Sequence, residues 1–412
     1  MKIAFINKYD TRGGAAIAAL RLARGLELRH HTENRFLVGN KNSSDPRVLA
    51  TRDPGWQQAL ERGINLVTGW LGFQYYFFPV STPRILAELR RFRPEVISLH
   101  NIHGGYFDTG LLEKLGSLAP VVWTLHDMWA ITANAAHSFG DENFKRMEPG
   151  KKENRSFPRT GINRGAALIS RKKKIYSRSN LCLVTPSRWL YDLARQSPVL
   201  EGKRIELIPN GLDLATFSPG NRRGARLGLG IESDSIVLCF SSEKLMSSPY
   251  KGGKEMLEIL RHLDRESELP VHILMIGGDR LPLDFGRLTI TQTGYLKGEQ
   301  EMIRCYQASD IFIYPTRADN LPSSLMEATA CGLPSISFDV GGCREIIADG
   351  ENGILVAPSD IMGFVQATLR LAADPQLREK FSVQARRIAV SKFDISQMAD
   401  AYYGLFQELI KT

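Results

Sequence analysis

Cysteine is scarce in this chain, and its placement is uninformative for chemistry: Cys182, Cys239, Cys305, Cys331 and Cys343 are scattered, with no Cys-x-x-Cys pair. That excludes a disulfide framework and a cysteine metal cluster, and it fits buried thiols in a reducing cytoplasm. Long apolar runs are missing too. No segment offers the roughly twenty consecutive apolar residues of a membrane span, and Met1 to Asn7 holds an apolar run of only four, too short for a signal peptide. The nearest thing to a membrane segment, Gly63 to Pro83, is uncharged and rich in aromatics but is interrupted by Asn65, Thr68, Gly69, Gly72 and Gln74. No Asp-x-Asp pair occurs anywhere. Finally, an evenly spread positive charge is absent despite the net +9: Lys145 to Arg178 holds twelve Lys or Arg against Glu148 and Glu153, a net of +10, so the rest of the chain sums to −1. A basic stripe for nucleic acid is thereby disfavoured. One cationic loop facing something anionic is expected instead.

What is present is alternation. At 412 residues the chain fits two domains of ordinary size. Strands are predicted at Lys2 to Ile6, Arg35 to Val38, Val96 to His100, Val121 to Leu125 and Leu181 to Thr185, separated by helical stretches such as Ala15 to Leu26, Pro83 to Arg91 and Gly110 to Leu118. After Pro209 the alternation repeats, with strands at 235–240, 271–276, 288–293, 310–315, 334–338 and 354–356. This is an α/β, doubly wound pattern, which binds ligands at the carboxyl ends of its strands. Polar residues gather at those ends: His100, Asn101 and His103 follow one strand and His126 with Asp127 the next. Gly13 and Gly14 form a glycine turn opening a helix, a place where amides can hold phosphate. The domains predicted are 1–209 and 210–394, with a last helix at 395–412 crossing back onto the first.

The most informative stretch is Tyr314 to Pro334. A buried strand, Asp310 to Pro315, runs through a loop into a short helix with Pro322 in its first turn, Gly332 as its stop and Pro334 just beyond. Glu327 is the odd residue in that helix, because Leu325, Met326, Ala328, Ala330 and Cys331 around it are apolar or small. Buried without a partner it would cost several kcal/mol, so either a cationic side chain or a ligand rich in hydroxyls must meet it. The amides of Ser323 and Ser324 at the helix start suit a phosphate, and Asp319 stands at the mouth of the same site.

An acidic residue, seven others and a glutamate, followed by Ala-x-Ala-x-Gly-x-Pro, resembles the signature of the retaining two-domain (GT-B) glycosyltransferases of family 4. Thr124 to Thr132, with Ala136 and His137, resembles a subgroup acting in bacterial exopolysaccharide assembly, of the colanic-acid type. The resemblance implies two Rossmann-like domains with a cleft between them, the second holding a UDP- or GDP-linked sugar and the first a saccharide or lipid-linked acceptor near His100, Asn101 and His103. It implies catalytic roles for His126, Asp319 and Lys251: His126 hydrogen-bonds the donor sugar, Asp319 contacts that sugar from a position where most members carry Glu, and Lys251 pairs with the leaving diphosphate. Glu327 would hold the ribose. Gly13, Gly14, Ser323 and Ser324 would face the phosphates, Asn320 and Leu321 the donor, and Gly277, Tyr295 and Leu296 would bracket the base. Lys244 stands near the place of a family arginine, which this chain lacks. With no Asp-x-Asp pair, no metal or other cofactor is expected. No protein nucleophile is required, since in this family the leaving phosphate takes the acceptor proton.

Two other readings stay open on sequence: a same-fold epimerase or phosphorylase, and a catalytically weak scaffold at a membrane surface. The basic loop 145–178 and the aromatic stretch Trp70 to Phe78 are expected to bring the first domain to an anionic bilayer at the cytoplasmic face.

Overall fold

The computed structural model describes residues 1–232, 234–278, 285–296 and 298–411. Two compact units divide them, one of Met1–Gly211 with Ile395–Thr412 and one of Leu212–Asp394. The final residue, Thr412, which closes the predicted last helix, lies outside the described residues.

The first unit is built on a seven-stranded, all-parallel sheet. Its strands are β1 (Lys2–Tyr9), β2 (Glu33–Asn40), β3 (Val48–Ala50), β4 (Val96–Leu99), β5 (Val121–Thr124), β6 (Leu181–Thr185) and β7 (Arg204–Leu207), in spatial order β3-β2-β1-β4-β5-β6-β7. The central strands are buried on both faces, as a parallel sheet covered by helices requires. In β1 the alternation is visible residue by residue: Ile3 and Phe5 join one core, Ala4 and Ile6 the other. The Ile3 face is covered by α1 (Gly14–His30) and by the last helix, Ile395–Lys411, whose Met398, Tyr402 and Phe406 enter the same core. These two helices cross closely because Gly25 stands at the crossing, where a Cβ would lie 3.0 Å from that of Ala399. The short β3, three residues long, gives too little period-two pattern to be read from sequence.

The second unit carries a six-stranded parallel sheet of β8 (Ile236–Ser241), β9 (Val271–Ile276), β10 (Thr289–Gln292), β11 (Ile311–Tyr314), β12 (Ser335–Phe338) and β13 (Gly353–Val356), ordered β10-β9-β8-β11-β12-β13. Again alternate residues face opposite cores: Phe312 and Tyr314 meet the helices Glu299–Ala308 and Ser323–Ala330, while Ile311 and Ile313 meet Gly253–Glu266 and Ile361–Ala373.

Two expectations are corrected. The basic segment 145–178 is not one loop, because Gly165–Arg178 is a helix whose Leu168, Ile169, Ile175 and Tyr176 are buried. Its Lys172 is buried as well, donating to the carbonyls of Trp129 (2.5 Å) and Thr132 (3.0 Å) beneath the Trp129 ring, and burial draws its pKa down to about 7. The aromatic stretch Trp70 to Phe78 is largely interior: Tyr75 and Phe78 belong to the core, and Arg164 and Arg171 lie over the rings of Phe73 and Tyr76. Only Trp70 and Phe77 of its large side chains are strongly exposed.

Candidate active site

In each sheet the strand order reverses at one place, between β1 and β4 in the first and between β8 and β11 in the second. Loops leaving the two flanking strands part there, and the gap they leave is where a doubly wound sheet takes its ligand.

In the second unit the flanking loops deliver Lys251, after β8, and Asp319, after β11. The Lys251 ammonium donates to Asp319 Oδ2 at 2.6 Å, and the Tyr314 hydroxyl donates to the same oxygen at 2.7 Å. The other oxygen, Oδ1, accepts the amide of Asn320 at 3.0 Å. Burial would push the Asp319 carboxyl up, but Lys251 and these donors hold it below the ordinary range. Burial likewise opposes the charge on Lys251, and the carboxylate overrides it, raising the ammonium's pKa. Both loops are pressed against their surroundings at glycines. Gly252 has φ 69° and a Cβ there would stand 1.7 Å from the Pro315 carbonyl; Gly341 has φ 54° and a Cβ would stand 1.8 Å from the Asp319 carbonyl. Only glycine permits either approach.

Glu327 is buried, and the hydroxyl group that meets its Oε2, at 2.9 Å, belongs to Tyr306. Of the two partners that its burial suggests from sequence, a cation or a hydroxyl-rich ligand, neither is that phenol. The helix Ser323–Ala330 begins at Pro322 with no side-chain cap, which leaves the half-buried Ser323 and Ser324 at an uncapped, positive helix end. Leu321 is a core side chain packed with Leu325 and Met326, and Asn320 is buried beside it. Gly277 donates to the Gly294 carbonyl at 3.1 Å, joining the ends of β9 and β10. Tyr295 is half exposed and Leu296 packs partly into the core. Lys244 is exposed on the loop after β8, with its carbonyl accepting the Ser248 amide at 3.1 Å.

In the first unit the histidines do converge. His100 Nδ1 and His126 Nε2 are 3.0 Å apart, and His100 Nε2 lies 3.2 Å from Ser98 Oγ. Burial pushes both imidazoles down, His126 to about 4, so both are neutral near pH 7 and one donates to the other. His103 Nε2 is 2.7 Å from Asp127 Oδ2, while Asp127 Oδ1 accepts the Trp129 amide at 2.8 Å. Burial acts to raise the Asp127 carboxyl, and His103 holds it low. Asp127, which the sequence places at the strand end without giving it a role, is thus the partner of His103 and caps the turn that follows it. Gly13 has φ 84° at the start of α1, with no side-chain cap and nothing within 4 Å of where its Cβ would be; Gly14 is the first residue of the helix.

Beside β1 lies a cavity of about 480 Å³ lined by Lys8, Tyr9, Asn40, Arg52, Asn65 and Gly104 among others. That volume suits a ligand of sugar size. Arg52 is buried there, donating to Glu61 Oε2 at 2.9 Å and the Gly105 carbonyl at 2.7 Å, and its Nε has no partner. Close by, Asn101 donates its amide to Asn7 Oδ1 at 3.2 Å, while Asn101 Oδ1 and Asn7 Nδ2 are buried without partners. Buried polar atoms left open in this way mark a place for a polar guest. Among the described residues no group of three or more His, Cys, Asp or Glu side chains is placed to hold a metal ion.

Comparison with known proteins agrees with this architecture. Residues 12–216 match the family described as Glycosyltransferase Family 4, and residues 235–374 the family described as glycosyl transferases group 1. The D-inositol 3-phosphate glycosyltransferase of Saccharomonospora viridis is 24% identical over 304 residues, covering 70% of this chain and 67% of that protein. The Frankia alni protein of the same name is 28% identical over 199 residues, covering 44% of this chain and 48% of that one. The chain therefore aligns with between about half and two thirds of these relatives' lengths. Among solved structures, sucrose-phosphate synthase from Thermosynechococcus elongatus superposes with a TM-score of 0.73 at 17% identity, over 100% of this chain and 99% of that one. Anabaena Alr3699/HepE in complex with UDP and glucose gives 0.67 at 16% identity, over 99% of this chain and 100% of that one. With two doubly wound units, each matched by its own glycosyltransferase signature, this chain belongs to the family 4, group 1 glycosyltransferases of the GT-B fold.

Proposed function

We propose that the chain transfers a sugar from a nucleotide-diphosphate sugar to a saccharide or lipid-linked hydroxyl, with retention of anomeric configuration, in the assembly of a bacterial surface polysaccharide. The observation that carries the reading is the pairing of Lys251 with Asp319 at the switch point of the second sheet, beside the uncapped start of the helix Ser323–Ala330. A lysine held charged by a neighbouring carboxylate, next to free helix amides, is an anion receptor whose own carboxylate occupies it until a phosphate arrives. Further support comes from the HepE structure, whose bound molecules are UDP and glucose.

In the reaction the bond between the anomeric carbon and the phosphate oxygen breaks, and the acceptor oxygen bonds to that carbon on the same face. The acceptor's proton passes to the departing phosphate oxygen. Negative charge grows on that phosphate, and Lys251 with the Ser323 and Ser324 amides would stabilise it more in the transition state than in the ground state. Asp319, released from Lys251, would turn to the sugar hydroxyls, Glu327 would take the ribose, and neutral His126 would donate or accept one hydrogen bond at the sugar. The cavity at Lys8, Asn40, Arg52 and Asn65, beside Asn101 and the His103–Asp127 pair, would seat the acceptor. The countercharge is assigned to the protein, without a metal.

A thermal-shift screen of UDP- and GDP-sugars tests the reading. A donor at one hundred times its dissociation constant adds about 2.7 kcal/mol, and the stabilising donor should then be consumed when acceptor is supplied, giving a product of unchanged anomeric configuration by NMR. If no nucleotide sugar stabilises the chain, the assignment fails; if transfer depends strictly on added Mg²⁺ or Mn²⁺ after chelation, the countercharge has been misplaced.

A further inference from the structure

The helix α2 (Trp56–Trp70) is built inside out. An amphipathic helix on a globular unit normally turns its apolar stripe inward. Here the one fully buried residue is Glu61, which bonds Arg52, the Ser81 hydroxyl at 2.6 Å and the amides of Val80 and Ser81 at 2.9 and 2.7 Å. Gln58 also turns inward, donating to Asn40 Oδ1 at 2.6 Å. The outward stripe, at spacings of four, three, four and three residues, is Trp56, Leu60, Gly63, Val67 and Trp70, with Leu66 beside it. Trp56, Leu66, Val67 and Trp70 are 71%, 74%, 57% and 67% exposed. At about 1.5 Å per residue the stripe is roughly 20 Å long, and it ends in a tryptophan at either side.

The surroundings indicate what covers it. The backbone of Gly161 and Ile162 bonds the carbonyls of Gly69 and Trp70, at 2.9 Å each, so the segment before it is tied to the end of α2, and Ile162 adds to the exposed apolar area. In 151–164, Lys151, Lys152, Arg155, Arg159 and Arg164 are all exposed. The one acid among them, Glu153, is turned inward, accepting the amides of Asn134, Ala135 and Gly150. On α2 itself the only exposed charge is Arg62. Ahead of these cations, Glu142 and Glu148 are each answered by a neighbour, Lys145 and Arg146. An apolar helix with tryptophan at both ends, bordered by unopposed cations, complements an anionic bilayer: the helix lies in the interfacial plane and the cations meet the headgroups. At fifteen residues α2 cannot span a membrane, and among the described residues no helix is long and apolar enough to do so.

We propose that α2, with the cations of 151–164, is a membrane-docking face that seats the first unit on anionic lipid. The sequence pointed instead to the whole of 145–178 and Trp70 to Phe78, most of whose aromatic rings are interior and five of whose twelve cations, Lys145, Arg146, Arg171, Lys172 and Lys173, are engaged by carboxylates or core carbonyls. The acceptor cavity is lined on one side by Arg62, Asn65 and Leu66 of this same helix, so docking would present it to a lipid-linked acceptor. Docking stands independently of the transfer reaction, since vesicle binding is measured without donor or acceptor.

The test is co-sedimentation of the full chain with phosphatidylcholine vesicles, with and without phosphatidylglycerol, at low and high salt. Binding is expected on the anionic vesicles at low salt, with a blue shift of tryptophan emission from Trp56 and Trp70. Trp56→Gln/Leu66→Gln/Trp70→Gln, at exposed positions that leave the melting temperature unchanged, should lower the partition coefficient by about tenfold or more. Lys152→Gln/Arg159→Gln should weaken binding to anionic vesicles while leaving the weak binding to neutral ones unchanged. Absence of binding at low salt, or undiminished binding by the triple variant, overturns the proposal. So does a dimer in solution that the triple variant dissolves, since a second copy of the chain would then be what covers α2.

Discussion

Replacing Lys251 by Met keeps much of its length and removes its charge, and the structure sets the size of the effect. Asp319 would lose its ammonium partner at 2.6 Å and keep the Tyr314 hydroxyl and the Asn320 amide. Removing one member of a fully buried pair costs about 3–5 kcal/mol and of an exposed pair under about 1. Here the side chains are 36% and 20% exposed and two donors remain, so a loss of about 2 kcal/mol is expected. For a unit of this size that lowers the melting temperature by about 4–8 °C. Asp319→Asn should cost less, about 1 kcal/mol, because the freed ammonium can turn to water. The double variant should be more stable than the sum of the two losses implies, by about 1 kcal/mol or more. Urea melts of the four proteins, followed by circular dichroism, measure the cycle. Lys251→Met melting with the wild type, together with additive single effects, would show that the pair does not form in the free protein and that no carboxylate holds the site until phosphate arrives.

Lys251→Ala should also lower turnover by about 10²-fold or more if the ammonium faces the leaving phosphate, a loss seen in kcat under saturating donor. Glu327→Gln can still accept from Tyr306, and donor affinity should fall by about 1.5–3 kcal/mol, measured by calorimetry, a larger loss than that in stability; a large loss of stability with unchanged affinity would make Glu327 purely structural. The folded chain keeps His126 neutral down to about pH 4 while the unfolded chain protonates it near its ordinary 6.5. Stability should therefore fall as pH drops between those values, by up to about 3 kcal/mol, and His126→Asn should flatten that slope in thermal melts. Gly252→Ala forces a side chain against the Pro315 carbonyl at positive φ, so a destabilisation of about 1–3 kcal/mol and a displaced Lys251 are expected, read as a lower melting temperature and lower kcat together.

The sheets were legible because parallel strands buried on both faces write continuous apolar runs such as Ile3 to Ile6 and Ile311 to Tyr314, and glycine and proline punctuate the loops after them. The convergence of His100 with His126 was legible for the same reason, since both residues leave adjacent strands at the same edge. The pairing of Lys251 with Asp319 was not. It depends on the strand order placing β8 against β11, and each residue alone reads as a ligand contact. Glu327 stood out as a charge among apolar neighbours, but Tyr306, on the helix before, gave no sign that its hydroxyl would meet it. The basic segment misled because counting charge ignores direction: Leu168, Ile169, Ile175 and Tyr176 carry the helical spacing that takes Lys172 into the core. In α2 the hydrophobic periodicity is present, but periodicity does not say which side faces in, and the burial of Glu61 decides it.

The crossing of Ile395–Lys411 over α1 also bears on how the molecule is made. The first unit is discontinuous in the chain, and its Ile3 and Phe5 face, covered in part by Leu22 and Leu26 of α1, is completed by Met398, Tyr402 and Phe406, with the Tyr402 and Thr124 hydroxyls 2.8 Å apart beneath them. During synthesis the first sheet therefore emerges with part of one face uncovered and waits for the whole of Leu212–Asp394 to pass before its last helix arrives. The second unit, continuous in sequence, can complete its fold on the ribosome first. The half that emerges earliest is thus the half finished last, and it is the one that spends the interval with apolar surface open to chaperones.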